Sequence, residues 1–269
     1  HDGTDLLIDF NSYWYLYDGG AASQIQRIKI DGSEVALYDT PGLHHPFTET
    51  PDGSLVYGQS HSATTGSWKY ESLARLTPDG ELEEIFNCRD YFTEIGETRE
   101  CGSNTVYWDE TREVFLYSLY SVDTVLEIHP ETGDILRSYG NLEDSWRFDP
   151  EDSAFYWQHG PNILENGNLL LSCHPEGPNS TLQIREFERD EDTETLTQIW
   201  HFGEQSEVEG DTMGEAHRLS NGNTLHNYGS AGRIREVSDS GEVVWEVDWD
   251  AERLIGRSIF VSDLYPLAP

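Results

Sequence analysis

"RIREVSDSGEVVWEVDW", residues 233–249, decides the fold. Two short apolar-rich runs flank the turn Ser240-Gly241. The second run alternates, with Val243, Trp245, Val247 and Trp249 on one side and Glu242, Glu246 and Asp248 on the other. Successive side chains of a strand point to opposite faces, so period two predicts a strand. Glycine at the turn supplies the positive φ that a tight reversal needs. The stretch is an antiparallel hairpin.

The same grammar recurs along the chain. Asp31-Gly32, Asp79-Gly80, Thr132-Gly133 and the acidic Asp190-Glu191-Asp192 each follow one strand-like run and precede another. The leading runs are "IQRIKI", "SLARLT", "TVLEIHP" and "LQIREFE"; the following runs are "EVALYD", "ELEEIFN", "DILRSYG" and "TLTQIWHFG". A second set of turns falls between these, at Asp52-Gly53, Thr111-Arg112, Asn166-Gly167 and Asn221-Gly222. Each opens onto another strand: "SLVYGQS", "EVFLYSLY", "NLLLSCH" and "NTLHNYG". The unit therefore holds four strands, A to D. No segment keeps a helical period over about ten residues.

Tandem four-stranded antiparallel units predict an all-β fold, a single β-propeller domain spanning residues 1–269. Counting C–D turns gives five blades, or six if "DLLIDF" is the remnant of another. Only four A–B turns are found. The expectation is that the first blade begins at a B strand, "SYWYLYD", and borrows its A strand from the C-terminal "GRSIFVSDLY", residues 256–265. N- and C-terminal strands would then close the ring and remove the exposed edge.

Composition limits the partners. The 269 residues carry 51 acidic and 16 basic side chains, a formal net charge of −35. Phosphate backbones need clustered Lys and Arg, so nucleic acid is not expected as a partner. An anionic membrane surface is excluded on the same ground, and no run of apolar residues is long enough to span a bilayer. High acidity with two lysines points to a saline habitat, where salt screens self-repulsion, or to a merely acidic secreted protein. The chain opens on His1 and is read as a mature or trimmed form. Cys88 and Cys101 flank the loop "CRDYFTEIGETREC", which a disulfide could close in an oxidising compartment; unpaired thiols are the alternative. Cys173 lies in an apolar strand and reads as core.

A strands of a propeller line its central channel, so residues at their entry ends gather at one mouth. Those positions hold His44-His45, Gly102-Ser103-Asn104, Gln158-His159, Glu215 with His217, and Arg257. His159 stands eight residues before Gly167, and His45 eight before Gly53, which predicts equivalent places. Rigid strands suit a binding or catalytic constellation. Three functions are open at this point. One is group transfer through a histidine. Another is a metal-dependent lyase or hydrolase with a divalent ion at His45, His159 and His217 (or Glu215). The third is a non-catalytic propeller that binds a ligand or partner. His61 and His174 end B strands and read as blade-top residues.

The stretches "FYWQHGPNILENGNLLLSCHPEG" (155–177), "GEAHRLSNGNTLHNYGSAGRIREVSDSGEVVWEVDW" (214–249) and "GRSIFVSDLY" resemble the arylsulfotransferase propeller family. The resemblance covers roughly residues 100–265. It implies transfer of a sulfuryl group from a phenolic sulfate to a phenol without a nucleotide donor or cofactor, in the periplasm or outside the cell. It implies His159 as the sulfated nucleophile, with His45, Asn104 and Arg257 as substrate-binding partners. The mouth positions of Gln158 and His217 add those two to the substrate-binding set. The substrate expected is a small aromatic or anionic molecule. Two of the family's cationic positions differ: its third-unit histidine corresponds to Gly102, and an expected B-strand arginine falls at Tyr120 or a neighbour.

Overall fold

The computed structural model describes residues 5–10, 23–61, 70–175, 180–204, 208–210, 212–249 and 255–258. The chain forms two compact units. One comprises His1–Trp108, Pro130–Gly133 and Val261–Pro269, the other Asp109–His129 and Asp134–Phe260.

In the first unit, β1 (Asp5–Phe10), β2 (Gln24–Lys29) and β3 (Glu34–Asp39) form an antiparallel sheet in that order. Next come β4 (Leu43–Glu49), β5 (Leu55–Ser60), β6 (Glu71–Leu76) and β7 (Leu82–Asn87), again in sequence order. Ile25, Leu43, Leu55, Tyr57, Ala74 and Leu76 join these sheets in one buried cluster, with Leu7, Tyr38 and Phe47 packed against it. A short helix, Cys88–Glu94, follows β7. Its start is set by Asn87, whose side chain accepts the Asp90 N–H. The Cys88–Cys101 disulfide ties this helix to the entry of β8 (Ser103–Asp109), the first of the two alternatives that the sequence leaves open.

The second unit contains β9 (Val114–Leu119), β10 (Thr124–Ile128) and β11 (Ile135–Gly140), ordered β11-β10-β9 in one sheet. Then follow β12 (Arg147–Asp149), β13 (Tyr156–Ile163), β14 (Leu169–His174), β15 (Gln183–Asp190) and β16 (Thr195–Phe202), ordered β12-β16-β15-β14-β13. The last sheet is β17 (Glu215–Arg218), β18 (Thr224–Asn227), β19 (Arg233–Val237) and β20 (Val243–Asp248). Among the described residues there are five sheets, those of a five-bladed β-propeller. Three of the four A–B turns use glycine: Gly53, Gly167 and Gly222 have φ of 85°, 88° and 88°, while the turn after Thr111-Arg112 puts Glu113 at φ 55°.

Two features differ from the sequence reading. The strand beside β2 is "DLLIDF", not "SYWYLYD": the register runs from Asp5↔Lys29 to Phe10↔Gln24. "DLLIDF" is thus the first blade's own strand and not a remnant of a sixth. The aromatic stretch looked the stronger strand, but Leu7 is the residue that enters the core. The stretch 12–18 lies outside the described residues, as do residues 259–265 of the expected closing strand; residues 256–258 are in no strand. The second difference is β12, which pairs parallel with β16 as a fifth strand. Three residues before a proline carry too little periodicity to announce it.

The second unit also holds a buried ionic hub. The fully buried Glu127 carboxylate meets Arg112 at 3.2 Å, Arg137 at 3.0 Å and Arg189 at 2.6 Å, and accepts the Tyr139 hydroxyl at 2.6 Å. Glu191, largely exposed, pairs with Arg112 and Arg137 at 3.1 and 2.9 Å.

Candidate functional site

Register, more than sequence spacing, defines which mouth residues correspond. His44 faces Gly58, His159 faces Ser172 and Glu215 faces Asn227. Each of these partners lies five residues after its turn glycine, at Gly53, Gly167 and Gly222. The counterpart of His159 is therefore His44 in one blade and Glu215 in another. The expected match with His45 is off by one. Between the register point and the turn, β17 pairs without interruption, whereas β13 and β4 contain register shifts. Such bulges add residues to one strand and re-aim its side chains.

In the first unit, His44 is buried and His45 partly exposed. Their Nδ1 atoms are 3.0 Å apart and their rings meet edge to face. His45 has φ 63°, a left-handed conformation uncommon for a non-glycine residue and one that collects at functional sites. His44 Nδ1 lies 3.9 Å from the buried Glu71 carboxylate. That carboxylate also accepts the Ser103 backbone N–H at 3.2 Å and the Ser103 hydroxyl. Asn104, next on β8, is buried. His44, His45, Glu71 and Ser103 thus form one polar cluster beside Asn104.

In the second unit, β13 is bent twice around His159. Register shifts fall on either side of it, and Trp157 and Gly160 take φ of 47° and 57°. The Trp157 N–H is held by Asp123 at 2.8 Å. Gln158 is fully buried, and its amide donates to Ser118 Oγ at 3.1 Å and the Thr124 carbonyl at 3.0 Å. Both Gln158 protons are therefore directed into the sheet containing β9 and β10. These bonds tie the strand that carries His159 to its neighbouring sheet. His159 remains partly exposed. Its Nδ1 lies 3.0 Å from the Trp157 carbonyl oxygen. Burial among its neighbours, opposed by that hydrogen bond and reinforced by nearby His174, holds its pKa at about 4.

β17 follows directly. A Cβ at Gly160 would lie 3.0 Å from Glu215 Cγ and 3.1 Å from its Cα, so the backbone beside His159 abuts Glu215 with no room for a side chain. Glu215 is buried, and three groups converge on its carboxylate: the Ser258 N–H at 2.8 Å, Arg257 Nε at 3.2 Å and His217 Nε2 at 3.2 Å. Burial alone would raise the Glu215 pKa; the imidazole, the guanidinium and the Ser258 N–H together outweigh it and hold the pKa below the ordinary value. The structure thus brings together two of the predicted site residues, His217 and Arg257, through a carboxylate whose central place no spacing argument revealed.

Other residues sit differently from expectation. His174 is fully buried beside His159, its Nδ1 3.2 Å from the Ser180 carbonyl, and not at an open blade top. Tyr120, in the turn Tyr120–Val122, places its ring 5.8 Å from that of Trp157. Sequence reasoning passed over His226, whose Nε2 lies 2.9 Å from Ser172 Oγ and whose pKa burial pushes down to about 3. An isolated histidine in an apolar B strand gave no signal. Among the described residues, no three His, Cys, Asp or Glu side chains are grouped to hold a metal ion, so the alternative ion at His45, His159 and His217 has no such cluster behind it.

Comparison with known structures returns the same architecture. A protein of unknown function from Bacteroides caccae is 16% identical, with TM-score 0.55 over 84% of this chain and 76% of that one. The periplasmic gluconolactonase of Pseudomonas aeruginosa is 13% identical, with TM-score 0.53 over 92% and 83%. A luciferin-regenerating enzyme is 12% identical, with TM-score 0.51 over 84% and 69%. At such identities the likeness is one of fold. No curated protein matches the chain. Residues 103–250, which carry the Trp157-Gln158-His159 motif and Glu215, match the profile of the arylsulfotransferase (ASST) family. That match spans more than half of the sequence, and the chain belongs to the arylsulfotransferase family.

Proposed function

We propose that the protein is a nucleotide-independent sulfotransferase, which moves a sulfuryl group from an aryl sulfate to a phenol through Nε2 of His159. The observation that carries this reading is the bond between His159 Nδ1 and the Trp157 carbonyl. A carbonyl oxygen only accepts, so Nδ1 bears the proton and Nε2 keeps its lone pair. A pKa of about 4 keeps the ring neutral at ordinary pH. A neutral imidazole with one nitrogen held and the other partly exposed is the form a nucleophile needs. Arg257, one step away through Glu215, supplies positive charge to the sulfuryl oxygens. The Cys88–Cys101 disulfide supports a secreted or periplasmic location, because such bonds persist in oxidising compartments.

The test is incubation with 4-nitrophenyl sulfate and a phenol acceptor. Release of 4-nitrophenol that depends on the acceptor, and that disappears in His159→Ala and His159→Asn, is the expected result. Turnover that survives His159→Ala rejects the reading.

A further inference from the structure

The transfer leaves a proton to be handled at the phenolic oxygen, and the β17 cluster supplies a group for it. Residues 215 and 217 lie two apart on β17 and so share a face. Glu215 is buried, while the His217 side chain is 29% exposed. The Glu215 carboxylate lies 3.2 Å from Nε2, at ion-pair distance from the imidazole. A buried carboxylate at this distance steadies the imidazolium when it forms. Arg257 and the Ser258 N–H hold the same carboxylate from the other side. The Glu215 backbone abuts Gly160, the residue after His159.

We infer that His217, positioned by Glu215, is the general acid and base for the phenolic oxygens in both halves of the transfer. This rests on the reading of His159 as the sulfuryl carrier. In the first half, Nε2 of His159 attacks sulfur and the S–O bond to the aryl group breaks. The electron pair stays on the phenolic oxygen, which takes a proton from the His217 imidazolium. In the second half, the acceptor phenol passes its proton to the neutral imidazole of His217 and its oxygen attacks sulfur. The S–N bond breaks, its electron pair returns to Nε2 of His159, and His217 is again protonated. Glu215 keeps its charge throughout and acts by orientation.

The distinguishing property is dependence on the basicity of the phenol. A 4-nitrophenolate leaves without protonation, whereas an unsubstituted phenolate needs it. The experiment compares single-turnover release from 4-nitrophenyl sulfate and phenyl sulfate in wild type, His217→Ala and Glu215→Gln. In both variants the loss should be on the order of 100-fold greater for phenyl sulfate than for 4-nitrophenyl sulfate. Added imidazole should restore part of the phenyl sulfate rate in His217→Ala. Melting curves accompany the kinetics, and His217→Ala carries the test if Glu215→Gln fails to fold. Equal losses on both sulfates, or none, overturn the role of His217 while leaving His159 in place. Absence of any release in the wild type removes the His159 reading and this inference with it.

Discussion

Nδ1 of His159 lies 3.0 Å from the carbonyl oxygen of Trp157, two residues earlier on the same strand. The contact is made possible by a bulged β13, in which Trp157 adopts φ 47° and its N–H is pinned by Asp123. A left-handed aromatic residue costs roughly 1 to 3 kcal/mol and persists only where the surroundings enforce it. The strain fixes one tautomer of His159.

That tautomer leads to a pH prediction. The nucleophile must be neutral, and its pKa is held at about 4. As far as His159 is concerned, single-turnover release of 4-nitrophenol should be level from neutral pH down to about 5, and fall as pH drops through about 4. An ordinary histidine would lose activity through about 6.5. Stability has a matching sign. His159 and His226, with pKa values of about 4 and 3, remain neutral in the fold while the unfolded chain takes up their protons. The unfolded state then binds more protons, so stability falls as pH drops from about 6.5 toward 4. The Glu215 pKa, raised by burial but lowered overall by His217, Arg257 and the Ser258 N–H, extends the loss below the usual carboxylate range. Melting in about 1 M salt, where net-charge repulsion is screened, isolates these terms.

Glu127 tests the ionic hub. Replacing it with Gln keeps the shape but leaves Arg112, Arg137 and Arg189 facing a neutral group. Removing one partner of a buried ion pair costs about 3 to 5 kcal/mol. Glu191→Gln, at the exposed end of the same network, should cost under about 1 kcal/mol. Urea titrations of both variants check the contrast; equal small losses would show that the hub is not a stabilising centre.

The Cys88–Cys101 bond closes a loop with a sequence separation of 13. Restricting a loop of about 15 residues in the unfolded chain is worth about 3 kcal/mol. Reduction, or the double substitution C88S/C101S, should lower the melting temperature by several degrees. No shift on adding reductant, with free thiols titrating in the native protein, contradicts the pairing.

A formal charge of −35 should make stability salt-dependent. The melting temperature should climb between about 0.05 and 1 M NaCl, as the Debye length contracts from over 10 Å to roughly 3 Å. A flat or declining curve removes the saline-habitat reading.

The fold was legible because turn glycines and period-two runs are local signals. "RIREVSDSGEVVWEVDW" became β19 and β20 as written, with Val237 opposite Val243. The candidate site was legible in its parts. His159 stood out through its motif, and His217 and Arg257 through their places on the mouth. What stayed hidden depends on register and burial. Bulges in β4 and β13 moved the counterpart of His159 from His45 to His44. Gln158 looked like a mouth residue, but the bent strand turns it inward to Ser118. Glu215 reads in the sequence as a mouth residue beside His217, but the contacts its carboxylate makes with His217, Arg257 and Ser258 depend on the fold.

The most direct measurement is mass analysis of the protein after rapid mixing with 4-nitrophenyl sulfate in the absence of acceptor. The account predicts one added SO3 group per chain, mapped by peptide sequencing to His159 and discharged when a phenol is added. Unmodified protein alongside steady acceptor-dependent turnover, or a sulfuryl group mapped to another residue, would contradict it.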